Sequence, residues 1–156
     1  MVRIGIIGIG FMGTTHFIAI KDIPDAEVTA ICTRDEKKLS GDWQAIKGNF
    51  GGGGGVQDLS GISTYREIDD ILNDSDVDLI DICLPTGMHY DVTMRALAAG
   101  KHVLLEKPIA LKLDEADEMV AAAKAVGKQL MVAQVLRYFP EFAFLKDAVD
   151  DERYGR

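Results

Sequence analysis

The first thirteen residues constrain the fold more than any other part of the chain. Val2-Arg3-Ile4-Gly5-Ile6-Ile7 is an apolar run of strand length, and Gly8-Ile9-Gly10-Phe11-Met12-Gly13 follows it directly. A strand that turns through G-x-G-x-x-G into a helix is the dinucleotide-binding fingerprint. The first glycine permits the tight turn, the second lets a pyrophosphate approach the backbone, and the third lets the helix pack closely on the strand. The next segment, Met12–Ile20, spaces Phe17 and Ile20 to face a sheet. Its N-terminus offers free N–H groups and a positive dipole end to phosphates. Gly8, Ile9, Gly10, Phe11, Met12 and Gly13 are therefore candidate cofactor-binding residues.

Strand and helix signals alternate along the rest of the chain. Strand candidates are Val2–Ile7, Glu27–Cys32, Ile62–Tyr65, Leu79–Leu84, His102–Glu106 and Gln129–Val135. Several are near-continuous apolar runs, as expected where helices cover both faces of a parallel sheet. Between them, Leu113–Val126 carries an apolar stripe of Leu113, Ala116, Val120 and Ala123 at helical spacing. Acidic residues crowd its first turns and Gly127 closes it. His89–Ala99 ends the same way at Gly100. This alternation predicts an α/β doubly wound parallel sheet, a Rossmann fold, in the order 3-2-1-4-5-6. One segment breaks the rhythm: residues 40–61 include Gly51 to Gly55, five glycines in succession. Such a run resists ordering and reads as a flexible spacer. If Asp35–Lys47 is one helix, the spacer leaves at the N-terminal edge of the strands. If Ser40-Gly41 breaks the helix, part of it reaches the adenine side.

The chain has 156 residues, enough for one domain with a full core. A net charge of −8 with no basic cluster argues against nucleic acid or an anionic membrane as partner. No stretch approaches the roughly 20 apolar residues of a membrane span. The apolar N-terminus reads as a strand rather than a signal peptide, so a cytoplasmic setting is expected. Cys32 and Cys83 fall near strand ends without metal-ligand spacing, and read as buried small hydrophobes rather than a disulfide. No metal site is expected.

The second strand ends in Thr33-Arg34-Asp35, where an acidic residue ordinarily binds the ribose 2′-hydroxyl of NAD. Thr33 carries no charge to repel a 2′-phosphate, and Arg34 can pair with one bidentately. This reads as NADP rather than NAD. Asp35 remains available for NAD, or as the N-cap of the next helix. Two further segments end strands: Leu84-Pro85-Thr86-Gly87-Met88-His89, and Gly100 to Pro108, which contains Glu106-Lys107-Pro108. A partly desolvated Lys107 beside the nicotinamide would hydrogen-bond a substrate hydroxyl and help its proton leave; alternatively it pairs with Glu106. His16 reads as packed on the first helix, His89 as a helix-start residue and His102 as a satisfied strand residue.

Together these residues resemble the Gfo/Idh/MocA family of oxidoreductases, over nearly the whole chain. The resemblance rests on GIIGIGFMG followed by His16, Asp76-Val77-Asp78, Pro85 with His89, GKHVLLEKP, the helix beginning near Asp114, and Arg137-Tyr138-Phe139-Pro140. It implies an NAD(P)-dependent oxidoreductase acting on sugars, polyols or their derivatives, with Leu84, Pro85, Thr86 and His89 bordering the nicotinamide ribose. Thr86 stands where the family often has Asn. By the same resemblance Glu106 and Lys107 match the E-K-P motif, with Lys107 touching cofactor and substrate as the catalytic residue. The Lys107–Pro108 bond is expected to be cis, and Arg137 and Tyr138 to stand near the site. Residues 1–136 would form the dinucleotide-binding domain, and 137–156 a linking helix and the start of a second, substrate-binding domain. The chain then reads as a piece of a longer, homo-oligomeric enzyme, and this piece is expected to bind cofactor without turnover. A different class, a non-catalytic sensor or regulatory module, would keep the glycines but would not need Lys107.

Overall fold

The computed structural model describes residues 1–48, 54–152 and 155. Six strands pair in parallel in the order β3-β2-β1-β4-β5-β6. They are β1 (Val2–Ile7), β2 (Ala26–Cys32), β3 (Ser63–Tyr65), β4 (Leu79–Ile82), β5 (His102–Glu106) and β6 (Leu130–Ala133). This is the doubly wound Rossmann sheet expected from the sequence. β4 and β6 stop short of the apolar runs that marked them. The chain leaves the sheet at Cys83 and at Gln134 and turns into short 3₁₀ segments, Thr86–Met88 and Val135–Tyr138.

Alternation along the strands sends side chains into two cores. On one face Ile80 and Ile82 of β4 and Val103 and Leu105 of β5 pack with three helices: α3 (Ile68–Leu72), α4 (His89–Ala98) and α5 (Leu113–Val126). On the other, Ile4 and Ile6 of β1 and Ile31 of β2 pack with Phe17 and Ile20 of α1 (Phe11–Ile20). The stripe assigned to α5 is corrected. Met119 and Ala123 are its buried residues, whereas Leu113 and Val120 are exposed. Both stripes have helical spacing, and packing against α4 decides which face is buried.

The segment after β2 also differs from a uniform spacer. The helix α2 (Glu36–Leu39) lasts one turn, and Gly41 reverses the chain at φ +85°. Asp42 then bridges Val56 in antiparallel fashion, and Trp43 N–H donates to the Gly55 carbonyl at 2.9 Å. Trp43 is fully buried, edge-on to Phe17 with ring centroids 4.7 Å apart, and its Nε1 donates to the Lys38 carbonyl at 2.8 Å. Ile46 is buried beside it. The break at Ser40-Gly41 therefore carries the described flanks of the insert onto α1, where they complete the core that a longer α2 would have covered. Of the glycine run, Gly51 to Gly53 lie outside the described residues.

At the N-terminal ends of the central strands, Arg3 clamps Asp78 with Nε and Nη2 at 3.0 and 2.7 Å. The guanidinium holds this carboxyl well below the usual carboxylate range. The contact ties the start of β1 to the start of β4. If the insert is part of the core, Trp43→Ala should lower unfolding free energy by about 3–5 kcal/mol in urea titration. A change below about 0.5 kcal/mol would return the insert to a spacer.

Candidate cofactor site

β1 ends at Ile7, and the chain turns at Gly8 with φ +97°. A Cβ at Gly8 would lie 2.5 Å from the Cys83 carbonyl oxygen, and one at Gly13 would collide with the Gly8 carbonyl oxygen. These two glycines are demanded by the fold: the exit of β4 leaves no room for a side chain at Gly8, and α1 runs so close to its own turn that none fits at Gly13. Gly10 is different. Its φ of −108° suits any residue, and a Cβ there would meet nothing within 4 Å. The fold leaves an open space over Gly10, at the helix N-terminus. The first helical bond runs from Thr14 N–H to the Gly10 carbonyl at 3.0 Å, so the N–H groups of Phe11, Met12 and Gly13 remain for a ligand. An anionic group fits this place.

The open space belongs to a cleft of about 580 Å³ across the C-terminal ends of β1, β2 and β4. Gly8, Ile9, Gly10, Thr33, Arg34, Leu84 and Pro85 line it, joining seven of the residues singled out in the sequence. At its β2 end Thr33 is pinned by its N–H to the Tyr65 carbonyl at 3.0 Å. Asp35 caps α2, its Oδ1 accepting from Lys37 N–H at 3.0 Å. Lys38 and Arg66 also line this end, and the sequence reading missed both. Lys38 was findable, since it stands one turn beyond Arg34. Arg66, just past β3, was not, because only the sheet order brings β3 beside β2. Arg66 pairs with Glu36. Arg34 and Lys38 have no acidic partner among the described residues.

Thr86, His89, Glu106, Lys107 and Arg137 lie outside the cleft lining. His89 opens α4 and is buried, with Nε2 2.8 Å from the Leu84 carbonyl and Nδ1 2.8 Å from the Pro108 carbonyl. It therefore ties the loop after β4 to the loop after β5. A neutral ring donates one of these bonds and a protonated ring both. Lys107–Pro108 is cis, as the resemblance implied. Lys107 is exposed rather than partly desolvated, and its ammonium has no partner among the described residues. Glu106 reaches its neighbour's backbone instead, with Oε2 accepting from Lys107 N–H at 3.1 Å. Arg137 is exposed on the turn Val135–Tyr138. His102 accepts from Gln129 N–H at Nδ1, 3.1 Å away. Cys32 and Cys83 are both free thiols, and burial pushes Cys32 up to about 11.

A family model described as an oxidoreductase family with an NAD-binding Rossmann fold matches residues 2–134. The chain belongs to the Gfo/Idh/MocA family. Within Gfo/Idh/MocA, it is 28% identical over 160 residues to the inositol 2-dehydrogenase/D-chiro-inositol 3-dehydrogenase of Lactiplantibacillus plantarum, covering 99% of this chain and 41% of that protein. It is 30% identical to the myo-inositol 2-dehydrogenase of Thermotoga maritima, covering 99% and 42%. The structure is similar to scyllo-inositol dehydrogenase from Lactobacillus casei with bound NAD(H) and scyllo-inositol, with a TM-score of 0.82 at 25% identity, covering 99% of this chain and 42% of that one. It is also similar to a 3-ketoreductase variant from Actinomadura kijaniata in complex with TDP-benzene and NADP, with a TM-score of 0.81 at 26% identity, covering 99% and 45%. The chain thus spans about two fifths of these relatives.

The glycines make a separable prediction. Gly10→Ala should leave unfolding free energy within about 0.5 kcal/mol of the wild type but weaken dinucleotide binding at least about tenfold. Gly13→Ala should destabilise the fold by about 1–3 kcal/mol through overpacking. Thermal unfolding with and without nucleotide distinguishes the two.

Proposed function

We propose that this chain is the cofactor-holding part of an oxidoreductase. The enzyme would move a hydride between a nicotinamide dinucleotide and the hydroxyl carbon of a sugar, polyol or related compound. The observation that carries the reading is the open cradle over Gly10 at the α1 N-terminus, where the fold would accept a side chain and the sequence keeps none. The inositol dehydrogenases among the relatives support the substrate class.

In this reading the α1 amides and Gly10 receive the pyrophosphate. Leu84, Pro85 and Thr86 border the nicotinamide ribose, His89 holds their loop from the buried side, and Arg137 lies close by. The bound nicotinamide supplies the carbon that accepts or gives the hydride. Lys107 holds the substrate hydroxyl and helps its proton leave. At the other end, Arg34 and Lys38 are two cations without acidic partners among the described residues, facing the cleft where a 2′-phosphate would lie. Asp35 has one oxygen committed to capping α2. These features favour NADP over NAD.

Residues 1–136 would be the dinucleotide domain, with 137–156 leading into a substrate domain. The helix α6 (Pro140–Asp150) supports this, since it exposes Phe142, Phe144, Leu145 and Val149 and buries only Ala148. Such an apolar face is one that further chain, or a second copy, would cover. Hydride transfer needs substrate held about 3–3.5 Å from the reacting carbon, and the wall that would hold it is not among these residues. The chain alone should therefore bind cofactor with little or no turnover. A cytoplasmic setting is proposed for the enzyme; among the described residues no helix is long and apolar enough to cross a membrane.

Titration calorimetry with NADPH and with NADH tests the reading. NADPH should bind more tightly, and Arg34→Ala and Lys38→Ala should each reduce that preference by about 1–2 kcal/mol, in the range of charge-assisted contacts. Tighter NADH binding would return the ribose contact to Asp35. No binding of either nucleotide would remove the proposed function, and substrate-dependent NAD(P)H formation would remove the claim that the chain alone lacks turnover.

A further inference from the structure

His16 lies one turn beyond the cofactor cradle, and its ring reaches two acidic side chains on neighbouring strands. Nδ1 is 2.8 Å from Asp81 Oδ2 on β4, and Nε2 is 3.4 Å from Glu106 Oε1 at the end of β5. Asp81 pairs with Leu104 in the register, so Asp81 and Glu106 stand on the same face of the sheet. Their side chains are 0% and 9% exposed, and that of His16 is 17% exposed. Buried carboxylates require compensation, and His16 is the basic side chain in contact with both among the described residues. The remaining titratable group facing the ring is Cys83, just past β4, 3.5 Å from Nδ1, whose thiol donates to Asp81 Oδ1 at 3.5 Å. The second oxygen of Glu106 holds the Lys107 N–H. One continuous contact path therefore runs from α1 through His16 and Glu106 to the backbone of Lys107.

We propose that His16 is a positioning residue that couples the helix receiving the pyrophosphate to the Glu106–Lys107 loop, and that its charge decides whether Glu106 holds Lys107 in place. The link to the cofactor rests on the function proposed above; the contact path does not. When the ring loses a proton, Nδ1–H is retained by Asp81. Nε2 then presents a lone pair to a carboxylate, and the Glu106 contact is the one lost. Burial disfavours the charged ring, but the Asp81 hydrogen bond and the charges of Asp81 and Glu106 outweigh it and raise His16 above its ordinary 6.5. The stabilisation is therefore complete below pH 6.5 and is lost as pH rises through the raised value. The ligand atoms of His16, Asp81 and Cys83 lie within 4.8 Å of one another, a spacing that a metal ion can also span. The thiol's donation to Asp81 makes the three side chains one hydrogen-bonded group.

Proton–nitrogen NMR from about pH 5 to about pH 9, the range of histidine switching, tests this on the chain as it is. The Lys107 amide should move in step with the His16 ring, with a common midpoint above 6.5. In Glu106→Gln the ring should still titrate while the amide no longer follows; in His16→Gln the amide step should vanish. An amide that ignores pH, or that titrates unchanged in His16→Gln, overturns the proposal. So does stoichiometric Zn²⁺ uptake lost in both His16→Gln and Cys83→Ser, which would assign the group to metal. NADPH and NADH affinity should fall about five- to tenfold across the same step in the wild type, but not in His16→Gln. If the amide follows the ring while affinity is independent of pH, the coupling to the cofactor is overturned. If neither nucleotide binds at any pH, the proposed function fails and the amide titration alone decides the positioning role.

Discussion

The constraint on which the site depends is the approach of α1 to its own turn, where the backbone of Gly13 lies against the carbonyl of Gly8. Much else follows from that contact. It sets the height of α1 over β1 and β4, and so places the free N–H groups of the first helical turn at the mouth of the cleft. It also lets His16 reach down to Asp81. A helix held even one methyl group farther from the strand would lengthen that contact and weaken the field at the cradle.

The glycines of the fingerprint do two separate jobs. Gly8 and Gly13 answer to the chain itself, because added side chains would strike backbone atoms. Gly10 answers to no part of the chain. This separation gives a physical ground for expecting a ligand beyond the motif itself, because steric demand within the fold explains only part of the motif.

Most of the sheet was legible in the sequence because its signals are local. Several strands are near-continuous apolar runs, and glycines close α4 and α5 where the chain takes positive φ. The stripe on α5 was misassigned because Leu113–Val120 and Met119–Ala123 have compatible spacing, and only packing against α4 separates them. The glycine run after α2 hid Trp43 and Ile46, two large apolar residues three positions apart whose spacing was the available clue. At the cleft, the residues of the fingerprint and of the β4 loop were readable. The His16 contacts were not, because Asp81 and Glu106 are far away along the chain and meet the ring only when β4, β5 and α1 assemble.

The two ends of the cleft are built differently. On the side of β4 and β5, buried His89 joins the Leu84 and Pro108 carbonyls, so the two exit loops are fastened to each other. On the side of β2, the wall includes Lys38 of α2, a single turn of helix, Glu36–Leu39, with none of its residues buried. A ligand spanning the cleft would meet a preset shape at one end and an adjustable one at the other. Adaptation to a different nucleotide can therefore occur around α2 without disturbing the alignment of the loops that carry Leu84 and Lys107.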